Sequence, residues 1–222
     1  LLLIVALVFT LNPEVNSDGL ERLRAANLIY SGDLFPQVKF SLVQSYLSIP
    51  LLYFSDIASL DAAKTVAYFN LIVILLLGVS FYKSISIIYS SQISVLTILL
   101  LLSASMIPHH VQLFFGELLS VAAISAGVLL AKRRPYMCSA LIAVGVANSP
   151  ALIFPAIIVA VIFFKRHHPI IMGVFFAGCI FLFENYMKFG SILGTSYFSA
   201  AEAGNKTLLP YSGLPGFSYP AL

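Results

Sequence analysis

The stretch Asn16-Ser17-Asp18-Gly19-Leu20-Glu21-Arg22-Leu23-Arg24 decides how the rest of the chain is interpreted, because it is the first polar segment after an apolar run at residues 1–11. A helix that crosses a bilayer needs about 20 mostly apolar residues. We therefore expect the run 1–11 to be the outer end of a first transmembrane helix, in a fragment of a longer protein. The polar stretch then begins at the membrane boundary, where a carboxylate can contact both lipid and water.

The composition of the chain is that of an integral membrane protein. Hydrophobic residues make up 60% of the sequence, charged residues only 9%, and the mean hydropathy is +0.99. Soluble domains carry about 45–50% apolar and about 25% charged residues. The net charge of +3 is too small to indicate a nucleic-acid partner. Cys138 and Cys179 both lie inside apolar runs, which predicts small buried side chains and no disulfide framework.

The apolar runs predict an all-α, polytopic transmembrane bundle that forms a single domain over residues 1–222, with about seven crossings. The segment 12–63 is expected to be a first extracytoplasmic loop, and 188–222 the start of a second one. A turn at Asn148-Ser149-Pro150 is expected to divide one long apolar segment into a hairpin of two short helices. The predicted crossings are 1–11, 65–82, 93–107, 118–131, 136–147, 151–164 and 170–186.

The first loop is expected to contain two interfacial helices. One begins at Ser17 or Asp18 and runs to about Tyr30, with a rough apolar stripe that favours a position along the membrane surface. The other covers about 42–54 and is expected to bend at Pro50. The stripe of the first helix consists of Leu20, Leu23, Ala26 and Tyr30.

The basic residues predict which side of the membrane each loop occupies. Short cytoplasmic loops are enriched in lysine and arginine, so we assign Lys83, the cluster 132–134 and the cluster 165–166 to the cytoplasm. The long segments 12–63 and 188–222 then lie outside. With that orientation every acidic residue lies on or near the outer side, which we interpret as a hint about function.

Asp18 is the leading catalytic candidate. A carboxylate at a membrane boundary suits a general base, because partial burial can raise its pKa towards neutral pH. The alternative is a helix cap, since Asp18 and Glu21 have the spacing of a capping box. The two roles are compatible, because a cap would also fix the carboxylate.

Glu117 is the second catalytic candidate, because a carboxylate at the start of an apolar helix is costly to keep there. His109 and His110 precede it at the same predicted boundary and are candidate substrate-binding residues. Together with Asp18 and Glu117 they could bind a divalent metal ion, but their spacing is not diagnostic of a metal site. The alternative is that both histidines simply lie at the interface.

Arg22, Arg24 and Lys39 are basic residues of the predicted outer loop and are candidate substrate-binding groups. Arginine can bind a lipid-linked phosphate through two parallel hydrogen bonds. The alternative for each residue taken singly is a side chain that extends towards lipid headgroups.

Several stretches resemble the membrane-embedded glycosyltransferases of the GT-C class, the group that includes protein O-mannosyltransferase-like and aminoarabinose-transferase-like enzymes. The resemblance covers nearly the whole chain in the expected order. The stretches are Ser17-Asp18-Gly19, Ala26-Asn27-Leu28, Ser31-Gly32-Asp33-Leu34, Lys39-Phe40-Ser41-Leu42-Val43-Gln44-Ser45, Ile49-Pro50-Leu51, Phe114-Phe115-Gly116-Glu117-Leu118, Asn185-Tyr186-Met187-Lys188-Phe189-Gly190-Ser191 and Thr195-Ser196-Tyr197.

The resemblance implies transfer of a sugar from a polyprenyl-phosphate donor to a glycan, lipid or protein acceptor at the extracytoplasmic face, in a bacterial inner membrane. Asp18 matches the catalytic aspartate of the family and Glu117 its second acidic position. Many members have two adjacent acids in the first loop, whereas Gly19 follows Asp18 here. This departure favours a single base over a metal-dependent mechanism.

Two other functions fit the same composition. A transporter or flippase for a lipid-linked or small polar substrate would need polar groups near the bilayer midplane and often has internal repeats. The predicted spans have little midplane charge and the acids gather at one surface, which favours an enzyme. A non-catalytic membrane component would keep the same scaffold.

Overall fold

The computed structural model describes residues 13–16, 18–87, 89–103, 107–162 and 167–192, and within them the chain is helical. The only β-type pairing among these residues is an isolated bridge between Glu14 and Leu113. The helices are α1 (Asp18–Tyr30), α2 (Val43–Ile57), α3 (Ala62–Ala67), α4 (Phe69–Ile85), α5 (Ser91–Ser103), α6 (Ile107–Gln112), α7 (Gly116–Leu130), α8 (Pro135–Asn148), a 3-10 turn (Pro150–Leu152), α9 (Ile153–Ile162) and α10 (His167–Phe189).

Two helical segments in the described part of the chain are long and apolar enough to cross a membrane. They are Ala62–Lys83, with a mean hydropathy of 2.0, and His168–Phe189, with 1.8. Both coincide with predicted crossings. Among the shorter apolar helices, α8 has 14 residues and α9 has 10. Their lengths are about 21 Å and about 15 Å at 1.5 Å per residue, which is less than the hydrocarbon thickness of about 30 Å. The all-helical class is thus confirmed, whereas seven crossings stay a prediction, and the run 1–11 lies outside the described residues.

The hairpin predicted around Asn148 is present as α8 and α9, separated by the turn Pro150–Leu152. Pro150 begins that turn, where its missing N–H leaves no helical hydrogen bond unmade. Helix α8 lies between α7 and α10 and packs against both of them. These three helices therefore form the core of the structure.

Glycines allow the core helices to approach closely, as is common in membrane proteins. A Cβ atom added at Gly145 of α8 would lie 2.8 Å from the carbonyl oxygen of Ser120 in α7. One added at Gly173 of α10 would lie 2.7 Å from the carbonyl oxygen of Ser139 in α8. Both contacts are with backbone, so a larger residue would push the helices apart.

Gly173→Ala is expected to lower the free energy of unfolding by about 1–3 kcal/mol, because the methyl group would overlap the backbone of α8. Gly178 is the matched control in the same helix, because a Cβ there meets nothing within 4 Å. Gly178→Ala should be neutral or slightly stabilising. The measurement is the temperature at which the detergent-solubilised protein loses its monodisperse elution peak. Equal temperatures for the two variants would contradict the close packing of α8 and α10.

The first loop contains both predicted helices, but the apolar stripe proposed for α1 is wrong as a single face. Leu23 and Ala26 are buried, whereas Leu20 and Tyr30 are exposed. The reason is that α1 packs against α2, with Gly19 in contact with Phe114. Its inner side is therefore occupied by protein.

The second helix of the loop, α2, spans Val43–Ile57 and contains Pro50. It begins about where we predicted and ends three residues later than the predicted range 42–54. Its first turn lies near the end of α10, because the backbone N–H of Leu42 donates to the carboxylate of Glu184 at 2.9 Å. This contact joins the first loop to the last described helix.

Candidate functional site

Arg22 lies at the centre of the candidate site. It is on the inner side of α1, is only 5% exposed, and packs against the turn that precedes α7. A Cβ atom at Gly116 would come within 2.5 Å of the Arg22 Nη2 atom. The guanidinium therefore occupies space that only glycine leaves open at this position.

The buried guanidinium of Arg22 has few partners of its own. Its Nη1 atom donates to Asn148 Oδ1 over 3.5 Å, which is long for a hydrogen bond. The group lies 4.6 Å from the ring centre of Phe40, and its Nε atom is buried with no hydrogen-bond partner among the residues that the structure describes. A buried donor without a partner costs about 1–3 kcal/mol. Protein atoms cover this N–H, so Arg22 acts on its surroundings mainly through its charge.

Three carboxylates act electrostatically on Arg22. Burial lowers its pKa from the usual value, while the carboxylates of Glu117, Asp18 and Glu184 act in the opposite direction and favour the charged form. An arginine remains protonated under all physiological conditions. Arg22 is therefore a permanent positive charge around which acidic residues from three helices are arranged.

Asp18 lies one helical turn before Arg22, in the first turn of α1. Its side chain is 35% exposed and pairs with Lys39, whose Nζ lies 3.2 Å from Asp18 Oδ1. The Lys39 ammonium also lies 4.4 Å from the ring centre of Phe40, the ring that faces Arg22. The predicted residues Asp18, Arg22 and Lys39 are thus brought together, with the carboxylate at the water-accessible edge.

Glu117 is the first acidic residue of α7 and directly follows Gly116, against which Arg22 packs. Its side chain is exposed. A carboxylate in the first turn of a helix interacts favourably with the helix dipole, which accounts for part of its position. Glu117 follows the glycine that Arg22 packs against, and Asp18 precedes Arg22 by one helical turn, so the two predicted acids share one corner of the structure.

The other predicted residues are placed differently. Arg24 is exposed on the outer side of α1, away from the inner side on which Arg22 is buried. The structure therefore does not bring Arg24 to the candidate site. His109 is exposed, while the ring of His110 lies 6.0 Å from that of Phe115, next to the turn before α7. No group of three or more His, Cys, Asp or Glu residues with the arrangement of a metal site occurs within the described ranges.

Asn148 connects the candidate site to the core, a role that the sequence did not indicate. Its Oδ1 accepts from Arg22 and from the backbone N–H of Gln44, at 3.2 Å for the latter. Its Nδ2 donates to the carbonyl of Gly116 and to Ser120 Oγ, both at 2.8 Å. One amide thus joins α1, α2, α7 and α8. The sequence feature that could have indicated this role is the position of Asn148, a polar residue at the end of the apolar helix α8.

Asn70 of α4 holds the turn before α7 in a similar way. Its Nδ2 atom lies within hydrogen-bonding distance of the carbonyls of His110, Leu113 and Phe115, at 2.9, 2.6 and 3.0 Å. The turn leads directly into Gly116 and Glu117, the first two residues of α7. Asn70 therefore positions the part of the chain that contacts Arg22.

A buried charge pair fixes the loop that carries Lys39. Lys188 and Glu184 of α10 form an ion pair at 2.5 Å, with side chains 2% and 10% exposed. Lys188 Nζ also donates to the carbonyls of Phe40 and Val38, at 2.6 and 3.3 Å. The spacing of Glu184 and Lys188 was the available signal for this pair, because oppositely charged residues four apart share a helix face.

The arrangement combines two chemical capabilities. Asp18 offers a carboxylate that water or a substrate hydroxyl can reach. Arg22 and Lys39 supply fixed positive charge next to it, as anion recognition requires. A site of this kind can hold an anionic group and accept a proton beside it.

No protein-family model matches the chain, and no curated protein or solved structure is significantly similar to it.

Proposed function

We propose that the chain is part of a polytopic membrane glycosyltransferase that resembles the GT-C class. The enzyme transfers a sugar from a polyprenyl-phosphate donor to a glycan, lipid or protein acceptor at the extracytoplasmic face, in a bacterial inner membrane. Two helical segments are long and apolar enough to cross a membrane. The other five predicted crossings are part of this proposal.

One observation carries the proposal: Asp18 and Glu117, which are 99 positions apart in the chain, both lie next to the buried Arg22. Asp18 is one helical turn before it, and Glu117 follows Gly116, against which its guanidinium packs. Keeping a guanidinium 5% exposed with one long hydrogen bond is unfavourable for folding. A functional requirement for positive charge at this point accounts for its retention. A phosphate ester is the ligand that the positive charges of Arg22 and the neighbouring Lys39 fit best.

The proposed reaction is a single displacement with inversion. The acceptor hydroxyl transfers its proton to the carboxylate of Asp18 while its oxygen attacks the anomeric carbon of the donor sugar. The bond from that carbon to the phosphate oxygen breaks, and polyprenyl phosphate leaves with the bonding electron pair. Arg22 and Lys39 stabilise the negative charge on the leaving phosphate, and Glu117 orients the acceptor.

The test uses the full-length protein in vesicles with radiolabelled polyprenyl-phosphate sugars. Transfer is read from label that moves to a membrane glycan, lipid or protein acceptor, with formation of polyprenyl phosphate. The same vesicles are tested for movement of intact donor between leaflets. Release of polyprenyl phosphate with labelled acceptor supports the proposal, whereas movement of intact donor without bond cleavage would identify a transporter or flippase. Neither activity across donor sugars would favour a non-catalytic component.

A further inference from the structure

Helix α2 has the polarity of its two sides reversed relative to a helix on the surface of a water-soluble protein, which buries an apolar face and exposes a polar one. Its exposed side is apolar, with Phe54 55% and Ile57 68% exposed. The buried side is mostly polar: four of its five buried residues are glutamine or serine. The five are Gln44, Ser45, Ser48, Leu52 and Ser55.

The two sides of α2 are cleanly separated. At about 100° per residue, the buried residues fall within one arc of about 100° and the exposed apolar residues within an opposite arc of about 120°. The exposed apolar arc consists of Leu47, Pro50, Tyr53, Phe54 and Ile57. The reversal is therefore a property of the whole helix and not of one turn.

Most of the buried polar side is hydrogen-bonded within the protein. Ser45 Oγ donates to the carbonyl of Arg22 at 2.9 Å, and the backbone N–H of Gln44 donates to Asn148. The Gln44 side chain donates to the carbonyl of Phe115 at 3.4 Å, while its Oε1 has no partner among the residues that the structure describes. Ser48 and Ser55 donate to carbonyls within α2 itself. The bonds to Arg22, Phe115 and Asn148 determine which side of the helix faces inwards.

The exposed apolar arc of α2 carries no charge. Asp56 is the only charged residue in the helix, and it lies outside that arc, about 60° from Tyr53 and beside the buried side, where the hydroxyl of Tyr30 donates to it at 3.1 Å. After Ile57 a connection of four residues leads into the span-length segment Ala62–Lys83. That segment also exposes a column of large apolar residues: Tyr68, Ile72, Leu76 and Val79.

We infer that the outer side of α2 is immersed in the acyl chains of the membrane leaflet that borders the candidate site, so that lipid covers α2 directly. The inference rests on the membrane location proposed above. Lipid fits this surface because it offers an apolar partner without hydrogen-bonding groups, and the surface offers only the hydroxyl of Tyr53, which lies at one end of the apolar arc. Because the other side of α2 contacts Arg22 and Asn148, the helix forms the wall between lipid and the candidate site.

Residues 1–222 contain no tryptophan, so a single introduced tryptophan reports its own surroundings once any tryptophan elsewhere in the full-length protein is replaced by phenylalanine. Phe54→Trp tests α2, and Tyr53→Trp is a second variant on the same face. Leu76→Trp in Ala62–Lys83 tests the membrane location itself.

Asn27→Trp is the matched control, because Asn27 is an exposed polar residue of the neighbouring helix α1. The full-length protein is reconstituted in phosphatidylcholine vesicles with or without brominated acyl chains, and iodide is the aqueous quencher.

We expect brominated lipid to reduce the fluorescence of Phe54→Trp about two-fold, with stronger quenching by bromine near the headgroup end than at mid-chain, because an interfacial helix inserts about 5–10 Å. Iodide should quench Asn27→Trp and leave Phe54→Trp nearly unaffected.

Quenching of Phe54→Trp and Tyr53→Trp by iodide, without quenching by lipid, would overturn the inference and indicate a surface facing water. Quenching by neither agent would also overturn it, since a second copy or another protein would then cover α2. If lipid quenches Leu76→Trp but not the two α2 variants, only the inference about α2 fails. If lipid fails to quench Leu76→Trp as well, the proposed membrane location fails with it.

Discussion

Asp18→Asn is expected to reduce sugar transfer by about 10²–10⁴-fold, the range that general base catalysis contributes. Asparagine has nearly the same shape as aspartate, but its amide cannot accept the proton of the acceptor hydroxyl. The substitution also removes the ion pair with Lys39. Because the Asp18 side chain is 35% exposed, that pair contributes only about 0–1 kcal/mol to stability. The protein should therefore accumulate and unfold like the wild type.

Glu21→Gln is the matched control for Asp18→Asn. Glu21 lies in the first turn of the same helix, so the change removes a neighbouring negative charge without removing the proposed base. Initial rates of label transfer are compared at equal protein in the same vesicles. Full activity in Asp18→Asn would remove Asp18 from the mechanism, and an equal loss in both variants would indicate a general effect of charge on α1.

Lys188→Met is expected to lower the free energy of unfolding by about 3–5 kcal/mol, the cost of leaving one member of a buried ion pair without its partner. The Glu184 carboxylate would keep its bonds from Leu42 N–H and Ser41 Oγ, but it would lose its cation in a buried setting. The carbonyls of Val38 and Phe40 would each lose a donor as well. The loop segment that carries Lys39 should then loosen.

The double variant Glu184→Gln with Lys188→Met should be more stable than Lys188→Met alone, because no unpaired buried charge remains. Lys64→Met is the control, since Lys64 is exposed on the short helix α3. Thermal unfolding of the solubilised protein gives the stability, and trypsin cleavage after Lys39 reports the loosening of the loop. An unchanged unfolding temperature and cleavage rate in Lys188→Met would contradict the role of this ion pair.

The sequence was sufficient for features that depend on local patterns. The length and apolar character of 65–82 and 170–186 predicted the two span-length helices, and Asn148-Ser149-Pro150 predicted the turn between α8 and α9. Asp18, Arg22 and Lys39 were all assigned to the first outer loop, residues 12–63, because they lie in one polar segment. Each of these predictions uses neighbours within a few dozen residues.

Features that depend on distant partners were not predictable. Arg22 fitted an exposed, lipid-directed arginine, and only the approach of Gly116 explains why it is buried. Asn148 was interpreted as a turn residue, since the groups that it binds on α2 and α7 are far away in the chain. The sequence of α2 shows that the helix has one polar and one apolar side. It does not show that the polar side faces inwards, because that depends on hydrogen bonds to the distant residues Arg22 and Asn148.

The account depends most on Asp18 and Glu117 sharing the extracytoplasmic surface. The direct measurement is labelling of single cysteines by a membrane-impermeant maleimide in sealed, right-side-out vesicles, with the native Cys138 and Cys179 replaced by alanine. Asp18→Cys and Glu117→Cys should both be labelled in sealed vesicles. Arg133→Cys, in the predicted cytoplasmic cluster, should be labelled only after permeabilisation. Labelling of positions 18 and 117 from opposite sides, or of both only after permeabilisation, would contradict an extracytoplasmic site built around Arg22.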